Sequence, residues 1–278
     1  MNIFADDTLL IFKSNDLSKL EQKVNDKLKL LFNFLTENRI QLNESKTEWL
    51  LITKKIGINF QPRIMYDNNL IRRVNCLKIL GFLIDDKLTF KSHMEQLISK
   101  VKRYLPVLHK LKRFLSIKEL MKLYHALINS LLTYCILIYR NGNETSFHRL
   151  FRIQKMILKI ILNGSSHEVL KLMVVSKVLS LPHTYNLKLL KLGHKMIFSK
   201  HSVPLFLQNT YTAKTNLNLR NKDNFITPYF RTSTGQRSIR YSVAQLWNKI
   251  PSSLKLNSNE KQFLKKAKEY LLNSQLIT

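Results

Sequence analysis

At residue 89 the apolar residues change their spacing, and that change divides what the chain can fold into. Before it they come in short runs separated by polar turns, the pattern of strands and hairpins. After it they recur every three or four residues, the repeat of a helical face. Only six Gly and six Pro interrupt 278 residues, so long stretches are expected to be helical. The expected fold class is an α+β N-terminal part, an antiparallel sheet with a helix on one face, followed by a mainly α-helical remainder.

In the first part, Leu17, Leu20, Val24, Leu28, Leu31 and Leu35 place one apolar face on a helix over 14–37. It begins at Ser18, through a capping box with Glu21, or one turn earlier at Asp16. A polar turn at Asn43-Glu44-Ser45 leads to a strand over 48–53. Residues 64–66 and 70–74 form a hairpin about Asp67-Asn68-Asn69. The apolar run 77–84 is a further strand, with Gly81 where another backbone comes close. Asp85-Asp86 reads as turn and N-cap chemistry ahead of the next helix.

Helices are expected over 91–104, 106–114, 117–139 and 146–162. Val101, Leu105, Leu108, Leu111 and Leu115 form one stripe, flanked by Lys100, Lys102, Arg103, Lys110, Lys112 and Arg113. Asn163-Gly164-Ser165-Ser166 breaks the pattern, helical spacing resumes over 167–199, and 203–224 reads as a linker. A small terminal unit ends in a helix over 260–273; its aromatic residues and arginines contact nucleic acid or fold a core around Trp247, the second being the commoner use of such residues. The domains drawn on these patterns are 1–88, 89–163, 164–224 and 225–278.

The formal charge is +28, and acids are sparse after Glu119 while lysine and arginine continue. A surface this basic attracts a polyanion, of which nucleic acid is the commonest. Lysine outnumbers arginine, which favours phosphate contact over bidentate reading of bases. The cationic stripe over 100–113 suits a duplex backbone, although many such faces are simply solvated. Residues 123–139 lack formal charge, but His125, Asn129, Ser130 and Thr133 interrupt a run already short for a bilayer, so a buried helix and no membrane partner are expected. Cys76 and Cys135 show no paired or metal-binding spacing and read as core residues. With no secretory leader, the expected location is intracellular, nucleus or cytoplasm, and not secreted.

Phe4-Ala5-Asp6-Asp7 places two adjacent carboxylates between short apolar runs, as at the tip of a hairpin. Paired acids on a rigid turn are what divalent metals need in phosphoryl transfer, although acids in turns are also common without function. The order of motifs resembles the reverse transcriptases of non-LTR retrotransposons, the jockey-like and other LINE-type elements. Phe4-Ala5-Asp6-Asp7-Thr8 is similar to the family's Tyr/Phe-Ala-Asp-Asp hairpin, and Leu42-Asn43-Glu44-Ser45-Lys46-Thr47 to its Leu-Asn-x-x-Lys-Thr segment. Leu80-Gly81-Phe82-Leu83-Ile84-Asp85 with His93 downstream, the helix Leu123-Tyr124-x-Ala126-Leu127-Ile128-x-Ser130 and the late Leu246-Trp247-Asn248-Lys249-Ile250-Pro251 extend the resemblance along the whole chain.

The resemblance implies a partial palm over 1–88, a thumb over 89–163, and roles for single residues. Asp6 would coordinate catalytic Mg²⁺ and Asp7 would support the same metal site. Lys46 would face the triphosphate and assist the leaving pyrophosphate, or, on the residues alone, cap a turn or stay solvated. Phe4, Ala5, Leu80 and Gly81 would lie along the primer end, and the cations from Lys100 to Arg113 would track an RNA template–DNA primer backbone. His93 reads as a structural contact. The family's fingers and its earlier Asp-bearing palm strand are not found in the sequence. The expected function is therefore a truncated RNA-directed DNA polymerase, a C-terminal fragment beginning at the hairpin and inactive alone, with a missing palm and fingers segment as its partner in trans. The alternative is a non-catalytic, basic nucleic-acid-binding remnant.

Overall fold

The computed structural model describes residues 2–4, 7–53, 61–67, 69–165, 167–208 and 224–276. The chain divides into two compact units, Met1–Leu88 and Thr89–Thr278. In the first, β1 (Asn2–Phe4) pairs antiparallel with β2 (Asp7–Leu9), and α1 (Leu17–Glu37) follows. The Asp16 side chain caps α1 by accepting from the Lys19 N–H at 3.1 Å. The earlier of the two expected starts is therefore used, and Ser18 lies inside the first turn. A short 3₁₀ turn, Glu44–Lys46, precedes β3 (Glu48–Trp49), which is shorter than the expected strand over 48–53. Then come β4 (Met65–Tyr66), β5 (Asn69–Leu70), β6 (Arg72–Arg73), β7 (Cys76–Ile79) and β8 (Phe82–Asp85).

The strands do not join into the single antiparallel sheet expected from the sequence. Among the described residues they pair two by two, as β1–β2, β3–β6, β4–β5 and β7–β8, and β3–β6 is parallel. Strands of two to four residues offer few ladder bonds, and β5 and β6, exposed throughout, give little apolar face on which to associate. Side chains do much of the binding instead. Asn25 on α1 donates to the Arg63 carbonyl at 2.9 Å and accepts from the Met65 N–H at 3.0 Å, while Phe32 meets the Tyr66 ring edge-on at 5.3 Å. Trp49 donates to the Ile71 carbonyl at 3.1 Å and carries the Arg73 guanidinium over its ring.

The regular elements described in the second unit are helical: α2 (Lys91–Lys102), α3 (Tyr104–Leu111), α4 (Ile117–Leu123), a π-helical turn (Tyr124–Asn129), α5 (Ser130–Thr133), α6 (Ile136–Tyr139), α7 (Glu144–Leu162), α8 (Val169–Val175), α9 (Leu181–Phe198), α10 (Leu205–Gln208), α11 (Ser233–Gln236), α12 (Ile239–Lys249), α13 (Ser252–Lys255) and α14 (Glu260–Ser274). The helix expected over 117–139 is thus divided. Ser130 Oγ donates back to the Ala126 carbonyl at 2.6 Å, and Tyr134 and Cys135 leave helical geometry, Cys135 with φ +52°. Side-chain bonding to the preceding turn competes with the helical ladder. Tyr139 spans the break by donating its hydroxyl to the Leu132 carbonyl. No helix among the described residues is long and apolar enough to cross a membrane.

Met94, Val101, Tyr124, Leu132, Phe147, Leu150, Ile157, Trp247 and Phe263 are all buried, and one core runs through the unit. The packing crosses the boundaries drawn at 163 and 224: α9 lies against α7 as well as α12 and α14. Trp247 meets the rings of Phe225 and Phe263, at 5.4 and 5.6 Å, and also packs against Gly193 of α9, so the tryptophan expected to centre a small separate core lies in the shared one. Of the segment read as a linker, Val203 and Leu207 are buried, and 209–223 lie outside the described residues.

Candidate functional site

The hairpin register sets Phe4 opposite Asp7, and both side chains are exposed. Ala5 and Asp6, to which the resemblance gives the primer and metal roles, lie outside the described residues. No group of three potential metal ligands assembles among the described residues, so Asp7 by itself does not fit a divalent-metal cage. Lys46 closes the 3₁₀ turn: its N–H reaches Asn43 Oδ1 at 3.2 Å, Ser45 Oγ donates to the same oxygen at 2.8 Å, and Thr47 Oγ1 donates to the Asn43 carbonyl at 2.8 Å. The Leu-Asn-x-x-Lys-Thr segment is therefore a self-capped turn that presents an exposed lysine. Among the described residues no ion pair joins Lys46 to Asp7.

Leu80 and Gly81 form the two-residue turn between β7 and β8, with Ile79 paired to Phe82. Both have positive φ, +48° and +83°, the pattern of a type I′ hairpin turn. The apolar run 77–84 is thus two strands. A Cβ on Gly81 would meet nothing within 4 Å, so the glycine serves its backbone conformation and not a close approach. Asp85 accepts from the Lys87 N–H at 3.2 Å, an Asx-type turn, but the next helix starts beyond it, with Phe90 and no side chain as its cap. The Cys76 thiol, at the start of β7, is pushed up by burial and by the Asp85 and Asp86 carboxylates, which keeps it protonated.

In the helical unit Lys100, Lys102, Arg103, Lys110, Lys112 and Arg113 are all exposed, while Val101 and Leu108 between them are buried. The stripe anchors α2 and α3 in the core and leaves the cations in solvent. His93 lies within the same helix, buried against Tyr139 at 5.6 Å. Burial, with the Lys100 charge adding to it, lowers its pKa to about 4, so it is a neutral core group at ordinary pH.

A second row of cations runs along α7. Arg149, Arg152, Lys155 and Lys159 follow one another at steps of three, three and four, which keeps them on one face for about 15 Å of helix. Lys155 lies over the Phe151 ring at 4.8 Å, and no acid follows Glu144 on this helix. The Asn143 N–H donates to the Thr89 carbonyl at 2.9 Å, so α2 and α7 leave from one point. Glu95 on α2 then meets both Ser146 and Arg149 on α7. The two helices consequently run side by side in the same direction. The spacing of these cations was available in the sequence; that α7 lies along α2 was not.

Comparison with known proteins finds partial likeness. The chain is 26% identical over 116 residues to the "Retrovirus-related Pol polyprotein from type-1 retrotransposable element R1 2" of Nasonia vitripennis, a match covering 40% of this chain and 28% of that protein. It is 26% identical over 101 residues to the corresponding R1 3 polyprotein of the same organism, covering 34% and 26% respectively. The match thus spans about a quarter of the length of these curated relatives. No family model matches the chain. No solved structure matches it either.

Proposed function

We propose that this chain is part of the reverse transcriptase of a non-LTR retrotransposon, with residues 1–88 derived from the palm and residues 89–163 from the thumb. The observation that carries this reading is the partial likeness to retrotransposon Pol polyproteins. The motif order supports it: the Phe4-Ala5-Asp6-Asp7 hairpin, then Lys46 on its capped turn, then the Leu80-Gly81 turn. The helical region supplies the polyanion chemistry. Lysine and arginine side chains that neutralise phosphates release condensed counterions, which gives tight but salt-sensitive and sequence-tolerant binding. The named cations of α2 and α3, with Arg152 and Lys159 of α7, are exposed on packed helices, while Lys155 is half-buried over Phe151.

Two-metal polymerisation draws carboxylates from more than one strand. Among the described residues no group of three potential metal ligands assembles at Asp7 or elsewhere. The chain by itself is therefore expected to bind a primed template without extending it. Purified protein with an RNA template, a DNA primer, deoxynucleotides and Mg²⁺ tests both halves. Binding without incorporation is the expected result; incorporation abolished by Asp6→Asn would make the chain a polymerase in its own right. Absence of salt-dependent binding to the primed template would overturn the reading altogether.

The net charge of +28 favours a second reading, a basic nucleic-acid-binding protein with no part in polymerisation. It is distinguished by adding a fingers and palm fragment from a related element. Activity restored only in the presence of this chain supports the polymerase reading, and no restoration supports the second.

A further inference from the structure

Two aromatic rings stand in solvent beside the start of α12: Tyr229 is 87% exposed and Phe206 is 61% exposed. Single apolar residues at a surface are ordinary. What sets these two apart is how their backbone is held and which charges surround them.

Tyr229 lies on a segment fixed at both ends. The Phe225 N–H donates to Asn248 Oδ1 and the Phe225 carbonyl accepts from Asn248 Nδ2, both at 2.9 Å, while the Phe225 ring meets Trp247. Five residues on, Phe230 lies against Gly235, where a Cβ would come within 2.8 Å of three of its side-chain carbons. The Phe230 ring also meets Tyr241 edge-on at 6.3 Å, and its carbonyl accepts from Gln236 Nε2 at 3.2 Å. Tyr229 and Arg231, on either side of this anchored residue, are both exposed.

The same turn of α12 holds Phe206. Arg240, the neighbour of Tyr241, donates to the Phe206 carbonyl and places its guanidinium 6.0 Å from the centre of the Phe206 ring. Consecutive residues of one helix thus fix both aromatic segments. Arg237, three residues earlier and exposed, donates to the Gly142 carbonyl at 3.5 Å. No Asp or Glu occurs among the described residues 201–208 and 224–259. Arg231, Arg237 and Arg240 form no ion pair among the described residues.

We infer that Phe206 and Tyr229, with Arg231, Arg237 and Arg240 around the start of α12, form a platform for single-stranded nucleic acid. Unpaired bases present π-faces that stack on exposed rings, and guanidinium groups take the phosphates between them. Arginines with no carboxylate among them favour a polyanion over an apolar protein partner. A duplex keeps its bases stacked on one another and gives such rings nothing to hold, which distinguishes this surface from the cation rows of α2, α3 and α7. The platform requires no metal and no palm, so it does not depend on the polymerase reading.

The full chain is titrated with a short labelled single-stranded RNA, with the matching single-stranded DNA and with duplex RNA, following binding by fluorescence anisotropy. Saturable single-strand binding is expected. Tyr229→Ala is expected to weaken it about tenfold, Phe206→Ala by a similar factor, with duplex affinity unchanged. Both side chains are exposed, so far-UV circular dichroism stays as in the natural protein. Tyr229→Phe keeps the ring and is expected to keep the affinity, which a role for the hydroxyl alone does not predict. Arg231→Ala is expected to lower the slope of log affinity against log salt for the single strand by about 0.7. Equal affinity for RNA and DNA assigns the platform to bases and phosphates; tighter RNA binding adds a contact to the 2′-hydroxyl. Single-strand affinity unchanged in Tyr229→Ala, a loss shared equally by the duplex, or no saturable single-strand binding overturns the platform. Replacing the α2–α3 cations lowers primed-template binding and leaves the Tyr229 dependence intact, so failure here is distinct from failure of the polymerase reading.

Discussion

The Thr89 carbonyl accepts from the Asn143 N–H at 2.9 Å, and this one bond sets the start of α7 against the start of α2. Gly142, just before it, has no room for a side chain: a Cβ there would lie 2.2 Å from the Thr89 oxygen and 3.0 Å from a Phe90 ring carbon. Backbone cannot yield as the end of a flexible side chain does. Gly142→Ala is therefore expected to push the two helices apart at their common origin and to destabilise the protein by about 1–3 kcal/mol. A urea melt measures this as a lowered midpoint with little change in slope. An unchanged midpoint would mean that the junction adjusts freely.

Because α2 and α7 run together from that junction, their cations are expected, on the proposed reading, to act on the same nucleic acid. Replacing Lys102, Arg103, Lys110 and Arg113 by Ala is expected to lower the slope of log affinity against log salt on a primed template by about 3. Replacing Arg152, Lys155 and Lys159 by Ala in the natural background is expected to lower it by about 2 to 3, with far-UV circular dichroism unchanged. If α7 were only a solvated face, the second set would leave the slope where it was. Arg149 is left out of the set because its partner Glu95 holds α2 against α7.

His93 makes stability depend on pH in a calculable direction. Its pKa is lowered by burial and by Lys100 to about 4, from 6.5 in the unfolded chain. Between those values the unfolded state takes up a proton that the folded state refuses, so stability is full above about pH 6.5 and falls as pH drops toward 4. Below that the effect is complete. Its size is on the order of 2–3 kcal/mol. His125 and His183 are lowered as well and act in the same direction. His93→Gln is expected to flatten much of the decline, read from urea midpoints at a series of pH values. A parallel decline in the variant would assign the acid sensitivity to other groups.

Helices were legible in the sequence because an amphipathic period is a local property. The α1 stripe of Leu17, Leu20, Val24, Leu28, Leu31 and Leu35 and the α3 stripe through Leu108 both follow from spacing alone. The break at Cys135 was not legible, since it depends on Ser130 bonding to its own preceding turn and on a tyrosine spanning the gap. Sheet assembly was misjudged for a different reason. Short strands declare their own direction, but pairing depends on partners distant in sequence, as the parallel match of Glu48 with Arg72 shows. At the candidate site the residue types were readable and their company was not: the alignment of α7 with α2 is encoded in no local pattern.

The turn between β7 and β8 allows stability and function to be separated. A type I′ turn wants residues that accept positive φ at both central positions, most often Asn followed by Gly. Gly81 meets that demand, whereas Leu80 holds φ +48° with a full side chain that is 47% exposed. An isolated leucine in this conformation costs roughly 1 kcal/mol relative to asparagine. Leu80→Asn is therefore expected to stabilise the hairpin by several tenths of a kcal/mol to about 1 kcal/mol, seen as a raised urea midpoint. If Leu80 lies along a primer end as the polymerase reading implies, the same change is expected to weaken primed-template binding while unprimed RNA binds as before. Gly81→Ala gives the converse control, since it strains the turn without meeting any neighbour. Stabilisation by Leu80→Asn with no loss for either ligand would make the leucine incidental to nucleic-acid contact, and the palm assignment would then rest on the hairpin and Lys46.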